Sequence, residues 1–202
     1  MINILVTGTG RCGTGYMSKL LTSAGLLCGH EEIISFLVNL IRLINNEKFA
    51  ESSWHAAPLL HLPFFNETTI IHAVRNPLHT IQSLIGTKFF IDKGFHYWYV
   101  VQFLPELKTL SPDKAPFYYF IEWTKLILKY EDNERYFRHK VEDEPVPLIE
   151  QLNGDTTNLF KNKKYNTIWE GERPKELTTN EIPVEYKNEF LELSERIGYA
   201  FT

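Results

Sequence analysis

The chain of 202 residues is poor in cysteine, in net positive charge and in long apolar runs, and each shortage removes a class of protein. Its two cysteines, Cys12 and Cys28, cannot form a disulfide framework. Neither stands in a CxxC or His-rich spacing, so no structural zinc site is expected, and so few thiols suit a reducing compartment. The formal charge of −4 lacks the basic excess of an indiscriminate nucleic-acid binder. The most apolar run, Ile33–Ile44, contains Asn39 and Arg42 and is too short to span a bilayer. The start, Met1-Ile2-Asn3-Ile4-Leu5-Val6, has no basic segment ahead of a long apolar one. No signal peptide and a cytoplasmic location are therefore the expectation.

A hydrophobic fraction of 44% with 23% charged residues fits an ordinary globular chain, long enough to bury a core without covalent staples. One domain over residues 1–202 is expected. Its acidic excess lies in the second half, so an anion site would draw on particular cations of the first half. Strands and helices alternate along the sequence. Ile2–Thr7 and Thr69–Arg75 read as strands, and Tyr136–Glu142 as a third. Helices are expected over Thr14–Ala24, closed by Gly25, and over Glu31–Asn46. Another opens at Asn76-Pro77 as N-cap and first turn and runs to about Thr87. Phe117–Tyr130, Glu144–Leu152 and Glu185–Ile197 complete the set, the last ended by Gly198. Residues 155–176 read as loop. This order predicts an α/β fold with a parallel β-sheet flanked by helices on both faces, in three layers. Residues 88–135 form an aromatic-rich helical stretch, read either as core or as a wall over a pocket.

The densest local signal is Val6-Thr7-Gly8-Thr9-Gly10-Arg11-Cys12-Gly13-Thr14-Gly15-Tyr16, a strand running through a glycine-rich turn into a helix. Such a turn aims several backbone N–H groups at one spot on the positive end of a helix and suits a phosphate. Gly8 and Gly13 have the Walker A glycine spacing, but Thr14 and Gly15 stand where an NTPase needs Lys and Ser or Thr. Gly8, Gly10 and Gly13 also match GxGxxG. However, the only acidic residues at the right distance, Glu31 and Glu32, do not end a clear strand. The cation sits inside the loop, as Arg11.

Arg11-Cys12-Gly13-Thr14-Gly15 resembles the 5′-phosphosulfate loop of sulfotransferases, (K/R)SGTT, with Cys12 for Ser and Gly15 for the second Thr. Ile70-Ile71-His72-Ala73-Val74-Arg75-Asn76-Pro77 followed by Ser83 resembles the 3′-phosphate motif of the same family. There an Arg ends a strand and a Ser follows eight residues on. Cys28-Gly29-His30-Glu31-Glu32 is similar to the Cys-Gly-Glu-Glu stretch of tyrosylprotein sulfotransferases, and compact bacterial-type members with a Gly-His-Glu element look nearest. Val141-Glu142-Asp143 and Arg196-Ile197-Gly198-Tyr199 match more loosely.

The resemblance implies a P-loop-like fold and a sulfotransferase that uses 3′-phosphoadenylyl sulfate (PAPS), releases adenosine 3′,5′-bisphosphate and needs no metal. Gly10, Arg11, Cys12, Gly13, Thr14, Gly15 and Tyr16, with Arg75 and Ser83, would hold the donor. Arg11 would meet the leaving oxygen. Glu31 ranks first as general base and His30 second. His61, in a His-Leu-Pro similar to that of cytosolic sulfotransferases, ranks third. Trp54 would stack on adenine, floor the acceptor site or pack in the core. Lys161, Lys163 and Lys164 would fold over the 3′-phosphate or stay solvated. The acceptor class stays open among small molecules, glycans, lipid headgroups and peptide tyrosine, with no nucleic acid and no membrane span expected. Two other readings stand beside this one: a P-loop nucleoside or nucleotide kinase, and a non-catalytic nucleotide-binding module.

Overall fold

The structure is a computed structural model that describes residues 2–32, 49–161 and 175–201. The chain divides into two compact units, Met1–Arg75 with Ile127–Thr167, and Asn76–Leu126 with Ile168–Thr202.

The first unit holds a five-stranded, all-parallel sheet. Its strands are β1 (Ile2–Thr7), β2 (Cys28–His30), β3 (Phe49–Ser52), β4 (Thr69–Val74) and β5 (Tyr136–Lys140), in the spatial order β2-β3-β1-β4-β5. β1 and β4 are near-continuous apolar runs because both faces of the sheet are covered. Val6, Ala50, Ile71 and Ala73 face helix α1 (Thr14–Ser23) and share its core cluster with Leu148 and Ile149 of a short helix over Val146–Gln151. Leu5, Thr7, Ile70, His72 and Val74 alternate with them onto the other face and are equally buried. The expected α/β fold with a parallel sheet is what forms.

Element ends follow local chemistry. α1 ends before Gly25, whose φ of 79° gives the left-handed turn that glycine accepts without a Cβ penalty. β1 covers the expected residues, and β4 and β5 end one and two residues before the expected positions. Two strands escape a pattern reading. β2 and β3 have three and four residues, and each carries a residue that strands disfavour, Gly29 and Glu51. The helix expected over 31–46 lies outside the described residues from Ile33 onward.

The second unit contains α2 (Pro77–Gly86), α3 (Phe95–Val100), most of α4 (Ala115–Leu128) and, after the short helix over Val146–Gln151 (α5), α6 (Val184–Arg196). Asn76 caps α2 as expected, its Oδ1 accepting from the Leu78 and His79 amides at 3.0 and 3.2 Å. Half of the aromatic density over 88–123 is core. Phe117 and Phe120 of α4 pack on Phe190 of α6, with ring centroids 5.8 and 5.3 Å apart, and Tyr119, Trp123 and Tyr97 are buried. Phe95 and Trp98 are exposed.

Candidate functional site

In a parallel sheet all carboxyl ends lie along one edge, and ligands of open α/β sheets bind beside that edge where the strand order reverses. β1 is flanked by β3 and β4, so its carboxyl end is such a point. The glycine loop leaves the sheet there. Gly8 must be glycine, since a Cβ would collide with Ala73 O and Cys12 Sγ. Gly13 has φ 109° and lies against Val141, just past β5. It is the N-cap of α1, and among the described residues no side-chain cap closes this helix and no acidic residue stands in its first turn. The positive end of α1 is thus left to whatever lies against the loop.

Arg11 is a non-glycine residue in the left-handed region, with φ 71°. Across the loop, Arg75 follows β4, and its Nη1 comes within 3.5 Å of Arg11 O. Burial lowers the pKa of Arg11, and repulsion from Arg75 lowers it further. Glu31 works in the opposite direction. Two guanidiniums that repel one another beside a helix N-terminus form a site that an anion would relieve.

Cys12 stands in this loop differently from the Ser it replaces. Its thiol is buried, turned toward Gly8 and in hydrogen-bonding reach of the Thr14 amide. Its own amide donates to Thr9 O at 3.2 Å. Burial pushes the thiol up to about 12, so it is a neutral packing group rather than a nucleophile. Tyr16 also belongs to the core: it lies in the α1 cluster, 6.2 Å from the Phe160 ring. Gly10, Thr14 and Gly15 are buried in the loop and first helical turn, and Ser52 Oγ donates to Thr14 O at 2.8 Å. Ser83 belongs to the second unit, where it is buried on α2.

The stretch after β2 comes to the same edge. His30 ends that strand, and its Nε2 lies 3.5 Å from Glu31 Oε1, with both side chains partly exposed. Glu31 has φ 59°, a left-handed bend that a Glu takes only when it is held. The bend is held by Glu31 N–H donating to Ser52 O and by Glu32 N–H donating to Glu51 Oε1, both at 3.0 Å. Glu51 is fully buried. Nothing in the sequence singled it out, because one acid among Phe49, Ala50, Ser52 and Ser53 carries no motif.

The remaining candidates stand apart from open chemistry or beyond description. Trp54 is buried and stacked on His55, with centroids 3.8 Å apart, so it packs in the core. His61 is exposed, and its Nδ1 donates to Pro58 O at 2.9 Å. His72 is a core residue: its Nδ1 meets Tyr136 Oη at 2.7 Å, and burial, helped by Arg138, pushes it down to about 3. Lys161 is exposed, while Lys163 and Lys164 lie outside the described residues. Among the described residues no group of three His, Cys, Asp or Glu side chains is arranged to hold a metal ion, and no helix is long and apolar enough to cross a membrane.

No family model matches the chain, and no curated protein matches it.

Proposed function

We propose that the protein is a sulfotransferase that takes a sulfuryl group from PAPS and delivers it to a hydroxyl or amine acceptor. The observation that carries this reading is the junction of Arg11 and Arg75. The loop that resembles the 5′-phosphosulfate motif leaves the central strand, and the Arg of the 3′-phosphate motif directly follows the strand beside it, reaching the loop backbone. Two motifs separated by about sixty residues of sequence thus meet at the carboxyl edge of one sheet.

PAPS supplies the sulfuryl group and the phosphate oxygen that departs with negative charge. The chain supplies position and charge. Amides of the loop and of the first turn of α1 would hold the 5′-phosphate end, and Arg11 would neutralise the oxygen that gains charge. The planar, bidentate guanidinium of Arg75 suits the 3′-phosphate dianion. Glu31 takes the proton from the acceptor, with His30 beside it as the partner that orients the carboxylate. Ser83 enters this scheme through its spacing from Arg75 alone. A cytoplasmic location is part of the same proposal, as is independence from metal.

The test is ligand selectivity at Arg75. Arg75→Ala should weaken adenosine 3′,5′-bisphosphate by about 1.5–3 kcal/mol, the scale of a hydrogen bond to a charged group. Adenosine 5′-phosphosulfate, which lacks the 3′-phosphate, should bind the variant and the parent nearly alike in calorimetry. Equal losses for both ligands would assign Arg75 to the fold and not to the 3′-phosphate.

A further inference from the structure

The turn after β2, like the glycine loop at Arg11, holds a non-glycine residue in the left-handed region. Glu31 sits at φ 59°, where a β-carbon is crowded and only outside constraints keep a Glu. One constraint is backbone: Glu31 N–H on Ser52 O. The other is a side chain from the neighbouring strand, since Glu51 Oε1 receives the Glu32 amide. Gly29 stands opposite Glu51 in the register between β2 and β3. A side chain there would collide with Glu51 Oε2, and its Cβ would stand 3.0 Å from Glu32 Oε2. The missing side chain of Gly29 is the space in which the Glu51 carboxylate lies.

A carboxylate removed from solvent is costly to keep, and a plain strand position has no need of one. Ala50 beside it serves the core with a methyl group. Glu51 accepts the amide of the residue after Glu31, which an apolar residue in its place cannot do. That bond fixes the peptide between Glu31 and Glu32. It therefore fixes the direction in which the Glu31 side chain leaves the turn, toward the His30 ring and within range of the Arg11 charge.

We propose that Glu51 is a positioning residue: its buried carboxylate, seated over Gly29, locks the Glu31–Glu32 turn so that Glu31 is presented to the reacting groups. The inference rests on the sulfotransferase reading with Glu31 as base. Glu51 itself touches neither donor nor acceptor.

The test compares Glu51→Gln with Glu51→Leu in the full chain. Gln keeps an oxygen where the Glu32 amide needs one, and Leu fills similar volume without it. Two readouts are taken. The first is hydrogen exchange of the Glu32 amide by NMR. It should stay protected in the parent and in Glu51→Gln, and exchange about a hundredfold faster or more in Glu51→Leu. The second is sulfuryl transfer. Glu51→Leu should lose about a hundredfold in kcat, the scale for a misplaced reacting group, with adenosine 3′,5′-bisphosphate affinity unchanged and Glu51→Gln near the parent. Combined with Glu31→Gln, Glu51→Leu should add no further loss, because there is then no base left to aim. Should Glu51→Leu fail to fold, Gly29→Ala displaces the same carboxylate and carries the same comparison. An unprotected Glu32 amide in the parent, normal turnover in Glu51→Leu, or losses that multiply in the double variant would each overturn the proposal. A parent that binds the bisphosphate but transfers to no acceptor would instead sink the reading of the reaction. The exchange measurement would still decide whether Glu51 holds the turn.

Discussion

Replacing Glu31 by Gln is expected to slow sulfuryl transfer by about 10²–10⁴, the range of general-base catalysis, and to leave affinity for adenosine 3′,5′-bisphosphate near that of the parent. Both halves follow from where Glu31 sits. It follows β2, two strands from the glycine loop, beside His30 and within range of Arg11. In the proposed reaction its work is on the acceptor, so donor binding should hardly register its loss. Gln has the same shape and can keep the left-handed bend through the same backbone bonds, so the variant isolates the proton-accepting oxygen. The loss should shrink with a strongly acidic phenol as acceptor, because such a hydroxyl needs little help in losing its proton. Steady-state rates with an alkyl alcohol and with an acidic phenol check this directly. Near-normal rates with the alcohol, together with loss of activity in His30→Ala or His61→Ala, would move the base to that histidine.

Arg11→Ala should depress turnover by about a hundredfold or more and donor affinity far less. A positive group placed for charge that appears only as the phosphate oxygen departs contributes to the transition state rather than to binding. The structure adds a reason for the asymmetry. Arg11 and Arg75 repel each other, so removing Arg11 relieves Arg75 and offsets part of the ground-state attraction that is lost. Ala keeps the backbone hydrogen bonds of the loop, including that of Cys12 to Thr9, so the loop amides should stay in place. Single-turnover rates and bisphosphate titration on the same variant separate the two quantities. A drop confined to affinity, with turnover at saturation unchanged, would make Arg11 a binding residue only.

The sequence made the central strands and the main helices legible because their signals are strong and local. β1 and β4 are apolar runs bounded by glycine and by Asn76-Pro77, and α1 and α6 end at Gly25 and Gly198, both with positive φ. β2 and β3 left no trace because three or four residues cannot establish a period, and their place in the sheet comes from pairing, β3 with β1 and β2 with β3, rather than from their own preference. At the site, the roles that depend on backbone were readable from glycine spacing: Gly8 and Gly13 each sit where a side chain has no room or the wrong φ. Roles that depend on side-chain direction were not. Cys12 and Tyr16 occupy motif positions, yet their side chains turn into the core, because a glycine loop exposes its amides and buries what lies beneath them. Trp54 went the same way, under its own stacking on His55. Glu51 was invisible for the opposite reason: the hydrogen bond it accepts comes from a residue nineteen positions away.

Calorimetric titration of the parent protein with adenosine 3′,5′-bisphosphate and with ADP, each in chelator and again with Mg²⁺, tests the proposed donor site most directly. If Arg11, Arg75 and the loop amides form a site for a nucleotide phosphorylated at both ends of its ribose, the bisphosphate should bind in chelator, more tightly than ADP, and Mg²⁺ should change little. Tighter binding of ADP, or bisphosphate binding that appears only when Mg²⁺ is added, would contradict the account and point to a nucleotide kinase.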